Sequence, residues 1–235
     1  MPNSEPCLRA FAGREEMVTR LADRIAGIVA QAVAARGRAL LVLSGGTTPA
    51  TLYEKLSGID LPWDRVELTL SDERWVDPSD PASNEGMVGR TLLKGRAAGA
   101  RLVGLKSAGA TPDEGLAATG ARLAGLHWPA DLVLLGMGED AHTASLFPGG
   151  EGLAQALSPA EGVRVAGIVP AAGGPARISL TRPALLEARE IALLITGDGK
   201  RRVYERALEP GPVETMPVRA VLHQFRVPVS VWWAP

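Results

Sequence analysis

Asp140 and His142 stand two residues apart inside Gly136-Met-Gly-Glu-Asp-Ala-His-Thr-Ala-Ser-Leu-Phe-Pro148. Histidine is the side chain best suited to moving protons near neutral pH, and a neighbouring carboxylate orients its ring and supports its cation. A second constellation is Ser44-Gly45-Gly46-Thr47-Thr48. Two glycines expose consecutive backbone N–H groups with no Cβ in the way, and a helix after them adds its positive end. Such a segment suits an anion, phosphate above all; a bare strand-to-helix turn would use the same residues. Third, Ser71-Asp72-Glu73-Arg74-Trp75 places two acids beside an arginine, as either a solvated charged turn or a pocket wall. Arg177 and Lys200, the latter after Gly197-Asp-Gly199, are candidate phosphate partners. Only four of the 25 basic residues are lysine, so the choice of lysine at 200 is informative.

The same residues exclude other chemistries. No Gly-x4-Gly-Lys-Ser/Thr occurs, so a nucleotide-binding P-loop is ruled out. Gly136-Met-Gly-Glu-Asp-Ala141 formally fits the relaxed dinucleotide fingerprint, but no acid closes the following strand, and Glu139-Asp140 would repel a pyrophosphate. Ser145 is a conceivable nucleophile without the G-x-S-x-G elbow that would present it. A lone cysteine, Cys7, forms no internal disulfide and no cysteine-based zinc site. His127, His142 and His223 lack metal-ligand spacing, so no metal is expected. His127 and His223 read as packed or capping loop residues.

Something must hold these loops in place. From Glu15 to Ala35 apolar residues recur every three or four positions, one face of a helix that Gly37 terminates. Ala39–Leu43 is a continuous apolar run, as in a strand buried on both faces, and it opens into the Ser44 loop and a helix entered near Pro49. Val66–Leu70 alternates like a strand and runs into Ser71-Asp-Glu-Arg. Arg101–Leu105 is a further strand candidate. Thr111-Pro-Asp-Glu114 is a helix start reaching about Leu123, ahead of Gly125. Asp131–Leu135 is a second apolar strand, opening into the Gly136 turn. Val163–Val169, Arg177–Thr181, Glu190–Thr196 and Val227–Trp232 complete the set. Strands alternating with helices imply an α/β fold: a mostly parallel sheet with helices on both faces and ligands at the carboxyl ends of its strands.

The 235 residues carry 25 basic and 26 acidic side chains, a formal charge of −1. That balance lacks the basic footprint of a duplex-binding protein, so no nucleic-acid partner is expected. No apolar run approaches the roughly 18 residues of a membrane span, and Met1-Pro-Asn-Ser-Glu-Pro-Cys7 shows no signal pattern. A soluble, cytoplasmic protein without a membrane partner is the expectation. No linker divides the chain, so residues 1–235 read as one domain. Nothing separates monomer from dimer, the monomer being slightly favoured.

Three segments occur in order: Leu43-Ser-Gly-Gly-Thr-Thr-Pro49, Ser71-Asp-Glu-Arg-Trp75 with Ser83-Asn84 downstream, and Gly136 to Pro148. With Arg177-Ile-Ser-Leu-Thr181 and Thr196-Gly-Asp-Gly-Lys200 they resemble the 6-phosphogluconolactonases, within the wider glucosamine-6-phosphate isomerase/deaminase superfamily. The resemblance runs from the first helix to near Lys200. It implies a Rossmann-like sheet and hydrolysis of 6-phospho-D-glucono-1,5-lactone to 6-phosphogluconate, the second step of the oxidative pentose phosphate pathway, without a cofactor. Carried over by position, Gly45, Gly46 and Thr47, in the loop opened by Ser44, hold the phosphate with Arg177 and Lys200. His142 is the base, supported by Asp140; Asp72, Arg74 and Asn84 line the sugar end. Arg74 is the cation for a developing oxyanion, and Asp72 is the next candidate base.

Two departures stand out. The family turn usually has Gly where this chain has Ala141, and alanine resists a left-handed backbone; a positive φ there would affect the placement of His142. Arg182 precedes Pro183 where an apolar residue is more usual, a change expected to be peripheral. The sister deaminases carry an acid shortly after the histidine, in an Asn-Glu-Pro context, whereas this chain reads Ser145-Leu-Phe-Pro148 with no carboxylate. That favours the lactonase over glucosamine-6-phosphate deamination. A non-catalytic sugar-phosphate sensor would not require the intact Asp140–His142 turn.

Overall fold

A computed structural model describes residues 6–235. Residues 1–5, on which the reading of the N-terminus as free of a signal pattern largely rests, lie outside the described residues. The first half of the chain runs β1 (Cys7–Ala10), α1 (Arg14–Arg36), β2 (Ala39–Leu43), α2 (Thr47–Leu56), β3 (Val66–Leu70), β4 (Asp72–Arg74), α3 (Asn84–Thr91), β5 (Arg101–Val103) and α4 (Pro112–Ala124). The second half runs β6 (Leu132–Gly136), α5 (Leu153–Leu157), β7 (Val165–Ile168), β8 (Arg177–Leu180), α6 (Arg182–Leu185), β9 (Ile191–Thr196), α7 (Asp198–Leu208), α8 (Arg219–Leu222) and β10 (Val229–Ala234).

Seven strands form one sheet in the order β1-β10-β9-β6-β2-β3-β5, with every neighbouring pair parallel. From β2 the chain steps outward through β3 to β5, then returns to the opposite side of β2 with β6 and continues through β9. The reversal lies between β2 and β6, and an open parallel sheet binds its ligand at such a point, beyond the carboxyl ends of the strands. The continuous apolar runs are explained by this setting. Every residue of β2 is buried, as are Leu132 to Leu135 of β6, because helices cover both faces of a parallel sheet. Thr69, read as the polar side of an alternating β3, is buried too, and its hydroxyl donates to the Val103 carbonyl at 2.8 Å.

The helix ends follow the local capping residues. Gly37 caps α1 in the left-handed region at φ 75°, its N–H returning to the Val33 carbonyl, a conformation glycine reaches without Cβ strain. Thr111 caps α4, accepting from the N–H of Glu114, with Pro112 at its start. Met17, Leu21, Ile25 and Val29 make the buried face of α1.

One feature of the sheet arrangement departs from the reading above. Val163–Val169 and Arg177–Thr181 do not join the parallel sheet; β7 and β8 pair antiparallel, and β4 pairs antiparallel with the other edge of β8. The eight residues between Ile168 and Arg177 are too few for a helical crossover, so a hairpin is the available connection. This small sheet is fastened to the large one where β3 ends: the Ser71 N–H donates to the Leu43 carbonyl at 2.7 Å, and the Leu180 N–H donates to the Ser71 carbonyl at 2.8 Å. Arg182 and Pro183 open α6 beyond the end of β8, outside the cavity described below. No helix of the described residues is long and apolar enough to cross a membrane.

Candidate active site

The loops after β9, β6, β2 and β3 carry the residues singled out by the sequence, and those four strands are consecutive neighbours in the sheet. Their carboxyl ends surround a cavity of about 220 Å³ lined by Ser44, Gly45, Gly46, Ser71, Asp72, Arg74, Asn84, Gly136, Met137, Gly138, His142, Ala144 and Lys200. It is smaller than the ~300–1,000 Å³ of typical small-molecule sites and suits a compact, polar ligand. A roomier groove of about 600 Å³ lies beside α4, α5 and β7, but its only titratable lining groups are Asp113 and Glu151. The chemistry-bearing side chains converge on the smaller cavity.

His142 reaches this cavity from a tight turn. Its Nδ1 lies 2.6 Å from Asp140 Oδ1, and its backbone N–H meets the same oxygen at 3.1 Å. Asp140 lies behind the ring, outside the cavity lining, where it fixes the tautomer: with Nδ1–H directed at the carboxylate, Nε2 is left to exchange protons. Gly138 makes the pair possible, since a methyl group there would collide with His142 Nδ1 and Asp140 Oδ1. Ala141 occupies the left-handed region at φ 64°, and Ala144 does so at φ 48°. The expected tension at Ala141 is therefore real, yet the Asp140–His142 contact is intact. The Ala141 carbonyl accepts from the Val218 N–H at 3.0 Å, anchoring the turn to the segment before α8. Phe147 packs on the imidazole, with ring centroids 4.4 Å apart.

The Ser44 loop is pinned from beneath by Tyr53, a buried residue of α2. Its hydroxyl donates to the Ser44 carbonyl at 2.8 Å and accepts from the Ser44 N–H at 3.0 Å. Burial drives that phenol well above its ordinary range, so it stays neutral and keeps its proton for the loop. Gly46 adopts φ 118° as the N-cap of α2, a region open to glycine. Gly45 allows Asn84 to approach; a Cβ there would strike the Asn84 amide, whose Nδ2 donates to the Asp72 carbonyl at 2.9 Å. Ser44 Oγ is buried with no hydrogen-bond partner among the described residues. Thr47 sits on the first turn of α2 and lines a neighbouring groove with Thr48, Thr51 and Lys55, outside the cavity itself.

The Ser71–Trp75 segment contains the short strand β4 rather than a loose turn, and its alternation sorts the charges. Asp72 and Arg74 line the cavity. Glu73 points the other way, is fully buried, and accepts from the N–H groups of Asn84 (2.8 Å) and Glu85 (2.7 Å) and from Ser83 Oγ (3.0 Å). It caps the start of α3 beside the Ser83 N-cap, so only one of the two acids belongs to the site. Burial nonetheless raises its pKa, because those bonds only partly offset desolvation.

Arg177 lies opposite Arg74 across the β4–β8 pair and does not itself line the cavity. Its Nη1 is buried and has no partner among the described residues; burial, and then the Arg74 charge, lower its pKa. Arg74 is steadied by donating to the Ala82 carbonyl. Lys200, in the first turn of α7, lines the cavity at the end of β9. Away from the site, His127 Nδ1 lies 2.7 Å from Glu67 Oε2, and His223 follows α8.

Comparison with known proteins agrees with this geometry. Residues 12–232 match the family model described as glucosamine-6-phosphate isomerases/6-phosphogluconolactonase. A 6-phosphogluconolactonase of Mesorhizobium japonicum is 42% identical over 226 residues, covering 96% of this chain and 94% of its own. One from Caulobacter vibrioides is 40% identical with both chains fully covered. The crystal structure of a 6-phosphogluconolactonase from Shewanella baltica superposes with a TM-score of 0.96 at 39% identity, again over the whole of both chains. The chain belongs to the glucosamine-6-phosphate isomerase/6-phosphogluconolactonase family.

Proposed function

We propose that this protein is an enzyme that hydrolyses 6-phospho-D-glucono-1,5-lactone to 6-phospho-D-gluconate, with His142 as the base. The observation that carries the proposal is the 2.6 Å Asp140–His142 contact at the edge of a cavity also lined by Arg74, Asp72 and Lys200. A lactone is an activated acyl group, so a positioned water is a sufficient nucleophile. His142 Nε2 takes a proton from that water as its oxygen bonds to the lactone carbonyl carbon. The negative charge that gathers on the carbonyl oxygen faces Arg74. When the tetrahedral intermediate collapses, the bond from that carbon to the ring oxygen breaks. The proton held by His142 passes to the ring oxygen, which becomes a free hydroxyl, and the new carboxylic acid ionises into solvent. Electrons are neither gained nor lost, so these residues suffice without a redox group.

The phosphate lies on the side of Gly45, Gly46 and Lys200, with Ser44 Oγ as a further donor. Arg177 adds positive charge through its unpaired Nη1. Binding energy from this remote group orients the reacting carbon. Asn84 and Asp72 face the sugar hydroxyls. Phe147, directly before Pro148, favours hydrolysis over the sister reaction: where deamination uses a carboxylate, an apolar ring lies against His142.

The test is hydrolysis of lactone generated in situ, with the spontaneous rate subtracted, in wild type and His142→Asn. A rate far above background that falls by 10²-fold or more in the variant, within the usual reach of acid–base catalysis, supports the proposal. No rate above background in wild type overturns it and directs attention to glucosamine 6-phosphate.

A further inference from the structure

Ser145 lies three residues beyond His142 and is fully buried, behind the cavity wall rather than in it. Its Oγ donates to Asp72 Oδ2 at 2.6 Å, the short separation of a hydroxyl bonded to a charged carboxylate. The other carboxylate oxygen, Oδ1, accepts from Ser71 Oγ at 3.0 Å. Asp72 makes no ion pair at salt-bridge distance among the described residues; each of its oxygens is held by one hydroxyl and keeps a lone pair for the cavity. The Ser145 backbone N–H donates in turn to Ser179 Oγ at 3.3 Å, and Ser179 is the residue opposite Asp72 on β8. One residue thus ties the turn that carries His142 to both strands of the small sheet that carry Asp72 and Arg177. The turn is built to aim it there. Ala144 takes φ 48°, and the Leu146 N–H closes on the Thr143 carbonyl at 3.0 Å, directing Ser145 across to β4.

We propose that Ser145 is a positioning residue for lactone hydrolysis. It orients the Asp72 carboxylate to receive a substrate hydroxyl and fixes the separation between Asp72 and His142. This rests on the lactonase reading above. Ser145 is not the nucleophile, because its proton is committed to Asp72, its oxygen does not reach the cavity, and no base contacts it from the His142 side. Asp72 is the group that meets substrate, and Ser145 acts through it.

A double-mutant cycle tests this with wild type, Ser145→Ala, Asp72→Asn and the double variant. Steady-state lactone hydrolysis, 6-phosphogluconate affinity by calorimetry and thermal stability are measured on all four. The expected result is a 10- to 100-fold fall in kcat/KM for Ser145→Ala, carried mainly by KM and matched by weaker 6-phosphogluconate binding. In the Asp72→Asn background the Ser145 substitution should cost less than twofold, because the carboxylate it served is gone. Independent, multiplying losses overturn the proposal, as does an unchanged KM in Ser145→Ala. Abolished turnover in Ser145→Ala with activity retained in Asp72→Asn would restore the nucleophile and also overturn it. If Ser145→Ala does not fold, Ser145→Cys keeps the volume, weakens the donor and carries the same comparison. A wild type that binds 6-phosphogluconate without turning over lactone overturns the lactonase reading alone, and the affinity cycle then decides the role of Ser145. A wild type that does neither overturns both.

Discussion

Arg74 and Arg177 face each other in register across β4 and β8, two guanidinium groups with an unpartnered nitrogen on Arg177. Like charges directly opposite each other destabilise a sheet by up to about 1 kcal/mol, and burial of Arg177 adds to that cost. An arrangement unfavourable in the empty protein becomes favourable once a negatively charged substrate occupies the cavity beside it. Strain of this kind belongs at a binding site. Replacing Arg177 with Met should therefore raise the melting temperature of the ligand-free protein by roughly 2–4 °C, the shift expected for about 1 kcal/mol in a chain of this size. The same variant should bind 6-phosphogluconate more weakly and gain less thermal protection from it. A variant that is less stable without ligand would show that Arg177 is structural.

Gly138 gives a test of the histidine turn that leaves every catalytic side chain chemically unchanged. A methyl group at this position would occupy the space of His142 Nδ1 and Asp140 Oδ1. The pair must separate or the ring must rotate, and a displacement of about 1 Å at a reacting group costs on the order of 10²-fold in rate. Gly138→Ala should keep its far-ultraviolet circular dichroism and lose about that factor in kcat, with KM changed far less. Full activity in the variant would mean that the Asp140 contact is dispensable.

Much of this site was legible because strand ends in a parallel sheet are marked twice, by an apolar run and by the polar or glycine-rich segment that follows. Ser44, Asp72, His142 and Lys200 each stand just past such a run, and all four meet at one cavity. The partners that hold them were less visible. Tyr53 and Ser145 act through single hydroxyls on residues that periodicity assigns to a helix face and a turn, and neither hydrogen bond has a local sequence signature. Glu73 and Asp72 are adjacent acids in sequence, and only the alternation of β4 separates them into a buried cap and a cavity wall. The small antiparallel sheet has no marker in composition, because β7 is as apolar as a central strand; the short, helix-free connection to β8 is the feature that points to a hairpin. Arg177 is the intermediate case, as its type and place were evident but its position behind Arg74 depends on the β4–β8 register.

Ala141 combines full burial with φ 64°. Replacement by Gly relieves a left-handed strain of about 1–2 kcal/mol but removes a buried methyl worth about 0.8 kcal/mol and loosens the unfolded chain. The expected outcome is a stability change under about 1 kcal/mol with activity retained. Ala141→Val should behave very differently, because a β-branched side chain is an outlier at positive φ and has no space in the packed interior. A loss of roughly 3 kcal/mol or more in chemical denaturation is expected for Val. Equal stabilities of the Gly and Val variants would contradict the left-handed assignment.

Glu85 and Glu73 make a like-charged pair at the start of α3, and both hold their protons more tightly than an ordinary glutamate. For Glu85 the cause is burial first and then the charge of Glu73, with Arg122 pulling the other way. A carboxyl group whose pKa is raised by folding contributes stability that is complete below its unfolded value, near 4.5, and is lost as pH rises through the folded value. Wild type should therefore lose stability in this range relative to a variant that cannot ionise at position 85. Glu85→Gln mimics the protonated form, so it removes both the cost of burying a charge at position 85 and the repulsion from Glu73, two effects of the same sign. Melting temperatures of the two proteins should lie near each other at pH 4 and separate as pH rises toward 7.5, with the variant the more stable at neutral pH. A gap that closes with rising pH, or a less stable variant at pH 7.5, would show that attraction to Arg122 outweighs burial and the repulsion from Glu73.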